Sequence, residues 1–256
     1  MTAPDAVLDL VERFARNREQ YLHPAYNETQ VRREFLDPLF TALGWDVDNA
    51  AGYAQQYKDV AHEDAIKVGG STKAPDYCFR VGGTRKFFVE AKKPAVNLKD
   101  DRAPAYQLRR YAWSAKLPLS LLTDFQEFVV YDCRVKPAAS DESSAARTLY
   151  VTCEQYGERW DEIADVFAKR AVYRGSFDKY AESTKAKKGT AEVDKAFLGE
   201  IEGWRDALAR NIALRNHLLS QRELNHAVQT TNSTSATIGE PHDPEYDGGR
   251  LDRGFG

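Results

Sequence analysis

Two short apolar segments on either side of Gly82-Gly83 constrain this chain more than any other stretch. Pro75-Asp76-Tyr77-Cys78-Phe79 leads in and Phe87-Phe88-Val89-Glu90-Ala91-Lys92-Lys93 leads out, both rich in residues that favour extended backbone. The pattern predicts an antiparallel hairpin turned at the glycine pair. Successive side chains of a strand point to opposite faces, so Glu90 and Lys92 share one face, while Phe87, Val89 and Ala91 share the other. Asp76, at the head of the partner strand, adds a second carboxylate. Such a cluster is costly to bury unless a metal ion or an anionic substrate balances it. The plainer reading is that Asp76 caps a turn after Pro75 and that Glu90 and Lys92 form a surface pair; the apolar Phe87 and Val89 beside them argue for a central strand.

The rest of the chain supplies helices and further strands. Asp5 to Glu19 carries Val7, Leu8, Val11, Phe14 and Ala15 at helical spacing. Asn27 is the expected N-cap of a second helix running to Leu43, with Val31, Phe35, Leu36, Leu39, Phe40 and Leu43 as its stripe and Pro38 as a bend. At about 100° per residue, Glu28 falls inside that stripe and Glu34 outside it. Glu28 is thus either a functional acid or a residue that caps its own helix or pairs with Arg32. Trp45 to Val47 reads as the start of a strand, with further short strands at Tyr57 to Val60 and Asp64 to Val68 and a turn at Gly69-Gly70-Ser71. A helix over Pro104 to Ala115 sets Gln107 and Tyr111 on one face, with Leu108, Ala112 and Trp113 marking packed positions. Strands follow at Leu119 to Thr123 and Glu127 to Cys133, an edge strand at Leu149 to Thr152, and a helix at Tyr156 to Lys169. This order predicts an α/β fold with a central mixed sheet.

A first domain is expected to end near residue 170. Residues 171–229 read as a helical connector, with Val193, Phe197, Ile201, Trp204, Leu208, Ile212 and Leu219 at helical spacing, and 230–256 as a disordered tail. No apolar run approaches a membrane span, and Met1 to Leu10 lacks a secretory pattern, so a cytoplasmic protein is expected. Cys78, Cys133 and Cys153 are too widely spaced for a thiolate metal site and read as small buried hydrophobes. The five histidines show no ligand spacing, and the glycine pairs lack a phosphate-loop context. A formal charge of −3 argues against tight autonomous binding to nucleic acid.

Two acids with a lysine suit metal-assisted hydrolysis of a phosphodiester. Asp76 and Glu90 are the expected ligands of Mg²⁺, with Mn²⁺ as an alternative, because hard oxygen donors match a hard cation. Lys92 would orient or deprotonate the attacking water or pair with a non-bridging oxygen, Glu28 would supply a third carboxylate, and Gln107 and Tyr111 would position the phosphate backbone.

Pro75-Asp76, a 13-residue gap and Glu90-Ala91-Lys92 resemble the PD-(D/E)xK nuclease signature. With Glu28-x-x-Val31-Arg32-x-x-Phe35, Pro38-Leu39-Phe40, Leu43-Gly44-Trp45-Asp46, Gln107-x-x-x-Tyr111, Trp113-Ser114, Leu122-Thr123-Asp124-Phe125 and Asn211 to Asn216, the chain is similar to the amino-terminal nuclease region of Type IIG restriction and modification enzymes. It also resembles the nuclease domain of Type I restriction subunits. The resemblance implies a three-layer restriction-endonuclease-like fold and cleavage of double-stranded DNA to 5′-phosphate and 3′-hydroxyl ends. Asp76, Glu90 and Lys92 would handle metal and water, Glu28 would be the helical acid, and Gln107 with Tyr111 the accessory pair.

In that family the connector leads to an S-adenosylmethionine-dependent methyltransferase and a target-recognition domain. This sequence has neither an Asn-Pro-Pro-Tyr nor an Asp-Pro-Pro-Tyr tetrapeptide, so no site for that cofactor is expected. The chain reads as a truncated or standalone nuclease module, served by a methyltransferase and specificity partner in trans and acting as a dimer if both strands are cut at once. The alternatives are a catalytically silent interaction module and a repair-type exonuclease.

Overall fold

The hairpin forms as its pattern predicts: β4 (Tyr77–Val81) and β5 (Thr84–Ala91) pair antiparallel through a two-residue turn. Gly82 and Gly83 both have positive φ, at 56° and 84°, the conformation a tight two-residue hairpin needs. At Gly83 there is a second reason for glycine, since a Cβ there would meet the Gln56 carbonyl oxygen at 2.9 Å. The computed structural model describes residues 2–184 and Trp204.

The described strands, in chain order, are β1 (Val60–His62), β2 (Ile66–Val68), β3 (Ser71–Lys73), β4, β5, β6 (Leu119–Thr123), β7 (Glu127–Asp132) and β8 (Arg147–Thr152). Six form one mixed sheet in the order β1-β4-β5-β6-β7-β8, and β2 and β3 pair as a separate hairpin. Only the β5–β6 pairing in that sheet is parallel, in the register Val89↔Leu121, Glu90↔Leu122, Ala91↔Thr123. A parallel neighbour requires a crossover. The chain between β5 and β6 supplies it as a helix over Arg102–Ser114.

Among residues 2–184 the α-helices are α1 (Asp5–Arg16), α2 (Arg18–Tyr21), α3 (Glu28–Val31), α4 (Asp37–Ala42), α5 (Arg102–Ser114), α6 (Tyr156–Phe167), α7 (Lys169–Tyr173) and α8 (Ser176–Ser183). Buried side chains fall into two clusters, one on each sheet face. The first joins Phe79, Phe87, Val89, Ala91 and Leu121 to the apolar faces of α1, α4 and α6 to α8. The second joins Cys78, Phe88, Leu122 and Val129 to Leu108 and Ala112 of α5 and to Ile66 and Val68 of the small hairpin. The fold is therefore α/β in three layers, with the mixed sheet in the middle. Phe79 and Phe87 stack at 4.5 Å between ring centres, and the Trp45 ring meets Phe79 edge-on at 5.0 Å.

Several expectations are corrected. Trp45 to Val47 is not a strand, because β1 already occupies the open edge of β4. Gly44, at φ 89°, ends the helix, and the buried Trp45 donates its indole N–H to the Phe167 carbonyl at 2.8 Å. The helix through Pro38 does not simply bend: Arg32–Leu36 is a π turn between α3 and α4. Proline has no N–H to offer the carbonyl four residues back. That carbonyl belongs to Glu34, and it accepts instead from the Arg13 guanidinium. Leu8 and Trp113 are exposed at 41% and 40%, whereas Leu10 completes the buried face of α1. The packed layer also continues past residue 170, where the first domain was expected to end: Val172, Phe177 and Ala181 are buried in the first cluster. Apart from Trp204, the expected connector beyond residue 184 and the tail lie outside the described residues.

Candidate active site

Four elements converge at the end of β5. Residues Phe87, Val89 and Ala91 lie in the first core cluster, so Glu90 is turned to the opposite face, where it is only 4% exposed. Lys92 lies one residue beyond the strand, but its backbone N–H donates to the Thr123 carbonyl at 3.0 Å, extending the strand geometry. Its side chain consequently stays beside Glu90: Lys92 Nζ donates to Glu90 Oε1 at 2.8 Å. Gln107, from α5, donates its amide to the same oxygen. Asp76 precedes β4, and its Oδ2 accepts the Ala91 N–H at 2.8 Å.

Asn27 caps α3 as predicted, through a reciprocal pair with Gln30. The cap sets Glu28 in the first turn, half exposed, with Oε1 3.8 Å from Lys92 Nζ. This overturns its expected position on the packed face: the short α3 gives way at once to the π turn, and Val31 carries the burial. Arg32 does not pair with Glu28 either. It donates to Asp76 Oδ1 at 3.2 Å and lies against His62 Nδ1 at 3.2 Å.

Asp76, Glu90, Lys92, Gln107 and Glu28 are thus brought together. Tyr111 lies one turn along from Gln107 but is buried in the second core cluster, and among the described residues its side chain makes no hydrogen bond to the carboxylates. Arg32 and His62 are the neighbours that reading the sequence missed. The contacts of Arg32 with Asp76 and with His62 span 44 and 30 residues, and no local pattern carries such information.

The electrostatics follow from burial. Desolvation first, and then the charge of Asp76, push the Glu90 carboxyl up to about 7. Burial works against the Lys92 ammonium, yet Glu90, with the charges of Glu28 and Asp76, holds its pKa above the ordinary lysine value. Lys92 is therefore a hydrogen-bond donor at neutral pH. Glu90 Oε2 is buried without a hydrogen-bond partner among the described residues, an arrangement that costs free energy in isolation. Among the described residues no group of three or more His, Cys, Asp or Glu is gathered closely enough to hold a cation alone. The two carboxylates fit a different design. Mg²⁺ is commonly held by one or two carboxylates together with waters and a substrate phosphate, and an unpartnered buried carboxylate oxygen is the donor such an ion takes.

With this geometry in view, the similarities of the chain become informative. Residues 58–139 match the family described as Type I restriction enzyme R protein N terminus, a segment that contains Asp76, Glu90, Lys92, Gln107 and Tyr111. Over 231 residues the chain is 36% identical to the Type II restriction enzyme and methyltransferase RM.Eco57I of Escherichia coli. The alignment takes in 90% of this chain and 23% of that relative, so the chain spans about a quarter of the relative's length. No solved structure matches it. Among the described residues no helix is long and apolar enough to cross a membrane.

Proposed function

We propose that this chain is a Mg²⁺-dependent DNA endonuclease module of a restriction-modification system, whose PD-(D/E)xK nuclease domain reaches past residue 170 to take in the packed Val172, Phe177 and Ala181. The observation that carries the reading is the convergence of Lys92 and Gln107 on one oxygen of Glu90 while the other oxygen, buried beside Asp76, has no hydrogen-bond partner among the described residues. Asp76 and Glu90 would hold the cation, with Glu28 available from the helix. When bound, the ion neutralises charge on the phosphoryl group and acidifies a water. Lys92, held protonated by the surrounding carboxylates, donates to that water or to a non-bridging oxygen and does not serve as the base. Gln107 holds Glu90 in place through its amide. Tyr111 supports α5 from the core. Mn²⁺ is expected to substitute, and the products to carry 5′-phosphate and 3′-hydroxyl ends.

Target choice would come from a methyltransferase and specificity domain or subunit, with double-stranded DNA as substrate. The test is cleavage of supercoiled plasmid by the purified chain with Mg²⁺, Mn²⁺ or chelator. Replacing Asp76, Glu90 or Lys92 with alanine is expected to slow cleavage by roughly 100-fold or more with the circular dichroism spectrum unchanged. Metal-dependent cleavage that persists in all three variants would refute the proposal. A wild-type chain that binds no divalent ion would favour the silent interaction module instead.

A further inference from the structure

We infer that Arg32 is a positioning residue for Asp76: its guanidinium fixes the rotation of the carboxylate that the nuclease reading assigns to the cation. The inference rests on that reading for its functional consequence, and on geometry alone for its structural part. An aspartate carboxylate turns about Cα–Cβ and Cβ–Cγ, and a donor to each oxygen, arriving from different directions, fixes it. Asp76 has both donors. The Ala91 N–H of β5 meets Oδ2 at 2.8 Å, and Arg32 Nη1 meets Oδ1 at 3.2 Å.

Arg32 is itself clamped. Its Nη2 lies 3.4 Å from the Asp76 carbonyl oxygen and 3.2 Å from His62 Nδ1, and its guanidinium carbon sits 4.8 Å from the centre of the Tyr77 ring. Tyr77 is anchored in turn, its hydroxyl donating to Asp37 Oδ1 at 2.7 Å. With its side chain only 18% exposed and both terminal nitrogens engaged inward, Arg32 is not an arm free to reach a substrate. An ion pair that swings open on ligand binding would have no need of the aromatic, imidazole and backbone contacts. Arg32 also opens the π turn that Pro38 and Arg13 stabilise, so its direction is set by the helix irregularity itself. Two acceptor positions on each carboxylate oxygen are enough for a fixed Asp76 to serve Arg32, Ala91 and a cation together.

The experiment compares wild type, Arg32→Ala, Arg32→Lys and, as a neighbour lining the same surface groove, Arg33→Ala. Mn²⁺ half-saturation of plasmid cleavage is measured beside the rate at saturating Mn²⁺, and exchange of the Ala91 amide hydrogen is followed without metal. Arg32→Ala is expected to raise the half-saturating concentration by about tenfold with a much smaller loss of saturated rate, as supporting residues around metal ligands do. Arg32→Lys is expected to recover part of the loss, and Arg33→Ala to match wild type. The Ala91 amide is expected to exchange faster in Arg32→Ala, because its acceptor is released. Unchanged half-saturation in Arg32→Ala, or an unchanged Ala91 exchange rate, would overturn the inference. A wild-type chain that never responds to Mn²⁺ would sink the nuclease reading, while the exchange comparison would still decide whether Arg32 holds Asp76.

Discussion

Glu90→Gln should make the protein more stable in alkaline solution as it destroys the proposed activity. The Glu90 carboxyl is buried beside Asp76, and its pKa is pushed from the ordinary 4.5 up to about 7. A carboxyl with a raised folded pKa binds its proton more tightly in the fold than in the unfolded chain. Its contribution to stability is present below the unfolded value and is lost as pH rises through the window from about 4.5 to about 7. Linkage over that window gives a loss of about 2 to 3 kcal/mol between pH 5 and pH 8, which the amide of glutamine does not suffer. The glutamine carbonyl can still accept from Lys92, and the stronger attraction of Lys92 for the ionised carboxylate at pH 8 is already contained in the value of about 7. The linkage figure is therefore the net difference across pH. Urea denaturation of wild type and Glu90→Gln, in chelator at pH 5 and pH 8, measures the difference directly. The variant should gain about 2 to 3 kcal/mol on wild type between the two conditions. Parallel stability profiles would show that Glu90 is not desolvated as the structure describes.

Other perturbations follow from particular contacts. Arg13→Ala should cost about 2 kcal/mol, since it strips the Glu34 carbonyl of its donor and removes a cation lying 4.4 Å from the Phe35 ring centre; adding Pro38→Ala should recover part of that loss, and a double-mutant cycle in urea without coupling would contradict the account of the π turn. Gly83→Ala should destabilise by more than Gly82→Ala, by about 1 kcal/mol in melting experiments, because both positions have positive φ but only Gly83 faces a carbonyl at 2.9 Å. Burial opposes the charged form of Asp64, but its hydrogen bonds to Arg85 and Arg80 win and lower its pKa to about 2. Its contribution should be present above about pH 4 and lost as pH falls through about 2; with Arg85 39% exposed, Asp64→Asn should cost about 1 kcal/mol at pH 7 and only a small fraction of that at pH 2 in chemical denaturation.

What could be read from the sequence was what is local. Strand alternation and a glycine pair specify the β4–β5 hairpin within a few residues, and with it the faces of Glu90 and Lys92. The Asn27 cap and the Gln107 face depend on one helical turn each. Glu28 escapes a regular 100° rotation because that rotation does not hold through Arg32–Leu36, where the missing N–H of Pro38 goes with a wider turn. The nearest acid to Arg32 along the helix is Glu28, while its partner Asp76 lies across the fold. The burial of Arg109, 1% exposed and paired with Asp141 at 2.8 Å, carries no local signal either. Trp45 looked like a strand residue because aromatic residues favour strands, and only the occupied edge of β4 excludes it.

The parallel pairing of β5 with β6 has a kinetic side. The hairpin can close early, over a two-residue turn, and in doing so brings Asp76 to the Ala91 amide. Glu90 acquires its parallel neighbour Leu122 and its partner Gln107 only after the chain through α5 has crossed over and packed, a step with a larger loop-closure cost. Assembly of the carboxylate cluster is therefore gated by the slowest local topology in the sheet. Pulse-labelled hydrogen exchange should show β4–β5 amides protected before those joining β5 to β6, so that a nascent chain holds both acids well before it holds a site.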